Sequence, residues 1–116
     1  MNEKPTTYAL GSSDQEIERL DRQSASIESA TRLLLRASGI EPGMRVLDLG
    51  TGIGHVAMLL AEMVGPEGSV VGIDNNQKLL DVAALRATAR RQLRFTVGDV
   101  RQWRDDAPFD AIVGRL

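Results

Sequence analysis

Apolar residues fall at two different periods along this chain, and the way those periods alternate predicts the architecture. From Ser24 to Ser38 the apolar positions Ile27, Ala30, Leu33, Leu34 and Ala37 recur at helical spacing, and Gly39 ends the stretch. A turn at Glu41-Pro42-Gly43 leads to a first strand, Arg45 to Leu49. A helix is expected from Gly54 to Val64, with Val56, Leu59, Leu60 and Met63 on one stripe and Gly65-Pro66 as its stop. Ser69 to Ile73 is a largely β-branched run, suited to a sheet covered on both faces, and Asp74 ends it. A further helix is expected from Gln77 to Arg90, a third strand from Leu93 to Val97 and a fourth from Phe109 to Val113.

Strands that alternate with helices imply an α/β fold, a parallel sheet with right-handed crossovers. Ahead of it, residues 1–12, with Pro5, Gly11 and Ser12, read as a loosely docked arm. Ser13-Asp14-Gln15-Glu16 has the form of a capping box and is expected to open a short helix to Leu20, separate from the one that begins at Ser24. Residues 1–40 are thus read as an arm with lid helices, and 41–116 as the sheet domain.

Composition narrows the function. A chain of 116 residues makes at most one domain, and 42% hydrophobic residues suffice for its core. A net charge of −2, with no basic stripe, argues against nucleic acid as a partner, and 3% aromatic residues are too few for a base-stacking platform. The absence of cysteine removes disulfides, thiolate catalysis and zinc clusters, and fits a cytoplasmic location. No signal peptide is read, and the apolar stretch Val56 to Val64, interrupted by Glu62, is far too short to span a membrane.

The chemistry concentrates in Val46-Leu47-Asp48-Leu49-Gly50-Thr51-Gly52-Ile53-Gly54. A strand ends in an acidic residue and breaks into alternate glycines before a helix. Such a turn lets a ligand approach the backbone, while the helix directs its free N–H groups at the same place. The dinucleotide fingerprint G-x-G-x-x-G would need its third glycine at residue 55, where His55 stands. The run Asp48 to Gly54 instead resembles motif I of the class I S-adenosylmethionine (SAM)-dependent methyltransferases. Asp74, at the end of the second strand, is placed to accept both ribose hydroxyls. Gly98-Asp99-Val100, after the third strand, resembles the Gly-Asp motif of the same family.

The resemblance implies a Rossmann-like sheet of order 3-2-1-4 and SAM as cofactor. It implies a cofactor site of Asp48, Gly50, Thr51, Gly52, Gly54, Asp74, Asn75, Asp99, Val100 and Gly114. In it, Asp48 lies near the methionine part, Thr51 offers its backbone N–H, Asn75 lies against the adenine and Asp99 accepts the adenine amine. The carbonyl of Gly114 would take the ligand's amino group. Asn76 is expected to cap the helix that follows, Trp103 to pack over that helix or the adenine edge, and His55 to face solvent. Tyr8, Arg19 and Gln23 are lid candidates. The rival readings are a nicotinamide or other nucleotide domain and a non-catalytic fragment that only folds and self-associates.

The fourth strand runs into Gly114-Arg115-Leu116. The base-amino methyltransferases carry Asn/Asp-Pro-Pro-aromatic there, and the metal-dependent catechol type an Asp where Gly114 stands. Both acceptor classes are therefore disfavoured, leaving a metal-independent enzyme with a small-molecule substrate, no metal ligands and no identifiable general base. The resemblance also implies that the chain holds the amino-terminal half of such an enzyme, truncated after strand four. A bare fourth strand is expected to pair with a second copy, giving a homodimer or larger assembly, catalytically doubtful on its own.

Overall fold

The computed structural model describes residues 4–114, with side chains from residue 14 onward. Its elements are α1 (Lys4–Ala37), β1 (Arg45–Leu49), α2 (His55–Val64), β2 (Ser69–Asp74), α3 (Gln77–Arg86), β3 (Leu93–Val97) and β4 (Ala111–Gly114). All strand pairs are parallel and the order is β3-β2-β1-β4, as the resemblance implied. In the register Leu49 lies between Ile73 and Gly114, so the carboxyl ends of β1, β2 and β4 form one rim. The chain divides into two compact units, Met1–Ala30 and Thr31–Leu116.

The first unit departs from the sequence expectation. Lys4 to Ala37 is one 34-residue helix rather than an arm and two helices, so position 13 lies inside it and not at its start. Residues Asp21-Arg22-Gln23-Ser24 contain neither Gly nor Pro and simply continue the helix. Crossing Gly11 costs about 1 kcal/mol relative to alanine, which does not break a long helix. Glu16 of the supposed box pairs instead with Arg19, at 2.6 Å. The Ser26 hydroxyl donates to the Gln23 carbonyl at 2.8 Å, a back-bond within the helix.

In the second unit, alternation along each strand separates two faces. Val46, Val70 and Leu93 face the helices and form the main core with Leu35, Val56, Leu59, Leu60 and Val64. Phe95, Ala111 and Val113 pack against it. Complete burial of a side chain such as Leu60 contributes about 1.5–3 kcal/mol. The opposite face carries Leu47, Val71 and Ile73, with Leu49, Trp103 and Phe109 against them. Glu62 on α2 ties the helix layer together, meeting Arg32 at 3.0 Å and Arg90 at 3.8 Å.

Two boundaries shift. α3 stops at Arg86, four residues short of the expected end, because the buried Ala87 turns the chain toward β3. The Leu93 amide then donates to Arg90 O, and Val70 reaches Gln92 O at 2.8 Å, seating β3 beside β2. β4 starts at Ala111 because Phe109 is diverted onto the second face, beneath the Arg45 guanidinium at 4.0 Å. Among the described residues, no helix is long and apolar enough to cross a membrane.

Candidate functional site

The turn after β1 folds over the end of β2. The amides of Gly50 and Thr51 both donate to the Ile73 carbonyl, at 2.8 and 3.0 Å, and Gly54 N–H closes on Thr51 O at 2.9 Å. Gly50 (φ 71°) and Gly52 (φ 58°) are left-handed, and a Cβ on either would stand in open space. Their backbone therefore forms a surface that a ligand could touch. Gly54 (φ 86°) serves packing instead. A Cβ there would come within 2.9 Å of Phe95 Cζ and 3.2 Å of Ala83 Cβ, so this glycine lets α2 close onto β3 and α3. No side chain caps α2, which leaves its first-turn N–H groups pointing toward the same rim.

Asp74 lies across this turn. One carboxylate oxygen accepts from Gly52 N–H and the other from Asn76 N–H, each at 2.9 Å. Both oxygens keep a second acceptor site for a ribose hydroxyl. Asn76 caps α3 as expected, its side chain accepting from Leu79 N–H at 3.2 Å. Gly50, Ile73, Asp74, Asn75, Gly98, Asp99 and Val100 line a cleft of about 220 Å³. The structure thus gathers Gly50, Asp74, Asn75, Asp99 and Val100 into one site, with Gly52 on its edge through Asp74. Larger hollows lie on the second sheet face, one of them sharing Val100 with the cleft, and toward the amino ends of the strands.

The other candidates sit differently. Asp48 is 4% exposed and faces the helix layer beneath the turn. Thr51 does not offer its backbone N–H, because Ile73 O takes it. Its hydroxyl is buried, without a hydrogen-bond partner, and directed at Gly72, where a Cβ would lie 2.7 Å away. Gly114 stands beside Leu49 at the rim but does not line the cleft. The Asp99 carboxylate accepts from Arg101, with Nη2 at 2.7 Å, Nε at 3.1 Å and the amide at 2.9 Å. That guanidinium, then the amide, holds the carboxyl below its usual range. Trp103 packs over the second face, with its ring centroid 6.0 Å from that of Phe109, and not over α3.

The side chain of Tyr8 lies outside the described residues, and Arg19 is paired with Glu16 on an exposed face. No group of His, Cys, Asp and Glu that could hold a metal occurs among the described residues. One contributor was missed in the sequence. Gly72 makes room beneath the turn for Thr51 Oγ1 and Phe95, at 2.7 and 2.8 Å from a would-be Cβ. A glycine in the middle of a β-branched strand was the available signal.

Comparison with known proteins identifies the family. Residues 4–114 match the model of protein-L-isoaspartate(D-aspartate) O-methyltransferase. The chain is 40% identical over 98 residues to protein-L-isoaspartate O-methyltransferase 2 of Arabidopsis thaliana, covering 77% of this chain and 32% of that protein. A solved protein-L-isoaspartate O-methyltransferase superposes with a TM-score of 0.69 at 28% identity, over 75% of this chain and 28% of that one. A SAM-dependent methyltransferase from Aquifex aeolicus gives 0.73 at 26% identity, over 86% of this chain and 55% of that one. The chain spans 32–43% of the length of the first curated relatives it matches.

These relatives overturn the small-molecule substrate expected from the sequence, since their names specify a protein acceptor. The motifs that disfavoured other classes bear on bases and catechols and do not separate a small acceptor from a peptide carboxylate. The pairing of two copies through β4 is withdrawn with it, because that expectation rested on where the chain stops. SAM is the cofactor that fold and family share. The chain belongs to the protein-L-isoaspartate(D-aspartate) O-methyltransferase family of class I SAM-dependent methyltransferases.

Proposed function

We propose that this chain is the cofactor-binding part of an enzyme that methylates the isoaspartyl carboxylate of proteins, and that it binds SAM in the cleft between Gly50 and Val100. The observation that carries the reading is the pairing of open, left-handed Gly50 and Gly52 with the Asp74 carboxylate at one rim. An adenosine group fits that donor set. Asp74 holds the ribose hydroxyls, Asn75 and Val100 flank the base, and Asp99 takes the exocyclic amine once Arg101 yields. The left-handed glycines let the sulfur side of the ligand lie directly on backbone.

When bound, SAM supplies an electrophilic sulfonium methyl, which passes to a carboxylate oxygen while the bonding electron pair leaves with sulfur. The acceptor is the free α-carboxyl of the isoaspartyl residue, with an ordinary pKa of about 3.3–3.7, and is already ionised at neutral pH. No proton has to be moved, so this chemistry requires no general base. The chain's own task is to hold the methyl donor in line and keep water from it.

Calorimetric titration with S-adenosylhomocysteine, with NAD as control, tests the cofactor reading. Saturable binding of the former alone is expected, and binding of NAD instead would overturn it. Methyl-ester formation on an isoaspartyl peptide, compared with its aspartyl isomer, tests the acceptor. Equal labelling of both peptides would reject the isoaspartyl assignment.

A further inference from the structure

Residues 98–110 connect the carboxyl end of β3 to the amino end of β4, so they must cross the second face of the sheet. Five strand residues at about 3.3 Å each make that crossing roughly 16 Å long. In α/β units this connection is commonly a helix, which holds its own shape through backbone bonds. Here it is an irregular strap with one turn, in which Gln102 and Trp103 N–H both donate to Asp99 O at 2.9 Å. Its shape depends on what pins it.

The lower end is pinned by one residue. Arg45 Nη2 meets Asp105 Oδ1 at 3.0 Å, and Nη1 donates to Ala107 O at 2.8 Å and Pro108 O at 3.2 Å. The same guanidinium stacks on the Phe109 ring at 4.0 Å. The backbone of Arg45 closes the contact, its N–H donating to Asp110 Oδ2 and its carbonyl accepting from Asp110 N–H. Arg94 supports Asp105 from the far side at 3.4 Å. The Arg45 and Asp105 side chains are only 24% and 15% exposed, so solvent screens this pair less than an ordinary surface pair.

From that clasp a continuous line of contacts leads to the cleft. Phe109 touches Trp103, and Trp103 Cδ1 lies 3.4 Å from the position of a Cβ on Gly98. Gly98 N–H donates to Asp74 O at 3.0 Å, and Gly98, Asp99 and Val100 form one wall of the cleft. We infer that Arg45, at the opposite end of the sheet from the cleft, is a positioning residue for it: through Asp105, Phe109 and Trp103 it sets the placement of the Gly98–Val100 wall. The inference rests on the cofactor reading for its effect on binding, but not for its effect on the strap. A lysine could supply the charge but not a planar fork that reaches a carboxylate and two carbonyls while lying on a ring.

Amide hydrogen exchange of the chain without ligand, followed by titration with S-adenosylhomocysteine, tests this on R45M, R45K and D105N. The Gln102 and Trp103 amides should exchange at least tenfold faster in R45M, with β1 and α2 amides unchanged. R45K should fall between R45M and the unsubstituted chain, and S-adenosylhomocysteine affinity should drop at least fivefold in R45M. Unchanged exchange at 98–103 in folded R45M overturns the inference, as does acceleration shared equally by β1 and α2, which would be general loss of stability. If R45M does not fold, D105N, which keeps the carbonyl bonds of Arg45, decides by the same criteria. An unsubstituted chain that binds no S-adenosylhomocysteine rejects the cofactor reading, while the exchange rates still decide whether Arg45 governs the strap.

Discussion

The Asp74 carboxylate and the Gly52 amide meet at 2.9 Å, joining the turn after β1 to the end of β2 across 22 residues of chain. The second oxygen of the same group accepts from Asn76 at the start of α3. One side chain therefore fixes the shape of the glycine turn and offers its remaining lone pairs to the cleft.

Asp74→Ala should consequently lose both stability and affinity. Hydrogen bonds to a charged group contribute about 1.5–3 kcal/mol each when buried, and partial exposure of Asp74 places the total loss near the lower figure. S-adenosylhomocysteine affinity should fall at least tenfold. Asp74→Asn, which keeps a carbonyl oxygen for Gly52, should recover much of the stability but not the affinity. Thermal melting and calorimetry on the two variants separate these effects, and an alanine variant that binds normally would remove Asp74 from the site.

The glycines divide by what surrounds them. Gly52→Ala places a Cβ in open space, so only its left-handed backbone resists, at about 1–2 kcal/mol. The variant should fold and bind poorly. Gly54→Ala meets the same backbone strain and also drives a Cβ to 2.9 Å from Phe95. Gly72→Ala has no left-handed strain but meets Thr51 Oγ1 at 2.7 Å and Phe95 at 2.8 Å, an overpacking that typically costs about 1–3 kcal/mol. Melting temperatures should fall most for Gly54→Ala. If Gly52→Ala proved the least stable of the three, the assignment of Gly52 to the ligand surface and Gly54 to packing would be wrong.

The strands and the glycine turn at their rim were legible because they depend on local signals, whereas the strand order followed only from the family resemblance. The Val46–Leu49 run, the glycines after it and Asp74 each occur where strand, turn and strand end require them. Of the cleft residues, Asp74 follows from its place at a strand end, while Asn75, Asp99 and Val100 followed from the family resemblance. What was not legible depends on alternatives with similar local energies. Ser13 to Glu16 fits a capping box and the interior of a helix equally well, and nothing near it in sequence selects between them. The backbone N–H of Thr51 was assigned to the ligand because only the structure shows Ile73 O in reach of it. The role of Arg45 depends on residues 60–65 positions away, a separation at which pattern carries no information.

Acid should weaken the strap and the Asp99 turn together. The Ala107 amide, then Arg45 and Arg94, holds the Asp105 carboxyl below its ordinary value, and Arg101 does the same for Asp99. A depressed folded pKa means stability that is fully present above the unfolded value of about 3.9 and is lost as pH falls through the folded one. On this account the melting temperature should be level above about pH 5 and decline below about pH 4. Asp105→Asn should flatten part of that decline. A melting temperature of D105N that falls with acid as steeply as the parent's would show that Asp105 is not one of the groups responsible.

Asp99 provides the sharpest test of how the adenine wall works, because its carboxylate is occupied by its own neighbour. Arg101 covers Oδ2 through Nη2 at 2.7 Å, while the Arg101 amide holds Oδ1 at 2.9 Å. The Arg101 side chain is 84% exposed, so the pair contributes little to stability and its loss is tolerable. Arg101→Ala keeps the backbone bond and uncovers Oδ2, the oxygen an exocyclic amine would need. This variant should bind S-adenosylhomocysteine as well as the parent or a few-fold more tightly, whereas Asp99→Ala should lose at least fivefold. Inosine-type analogues, which present an oxygen in place of that amine, should bind Arg101→Ala more weakly than adenosine ligands and discriminate little in Asp99→Ala. If Arg101→Ala weakened binding as much as Asp99→Ala, the arginine rather than the carboxylate would be the group that meets the ligand.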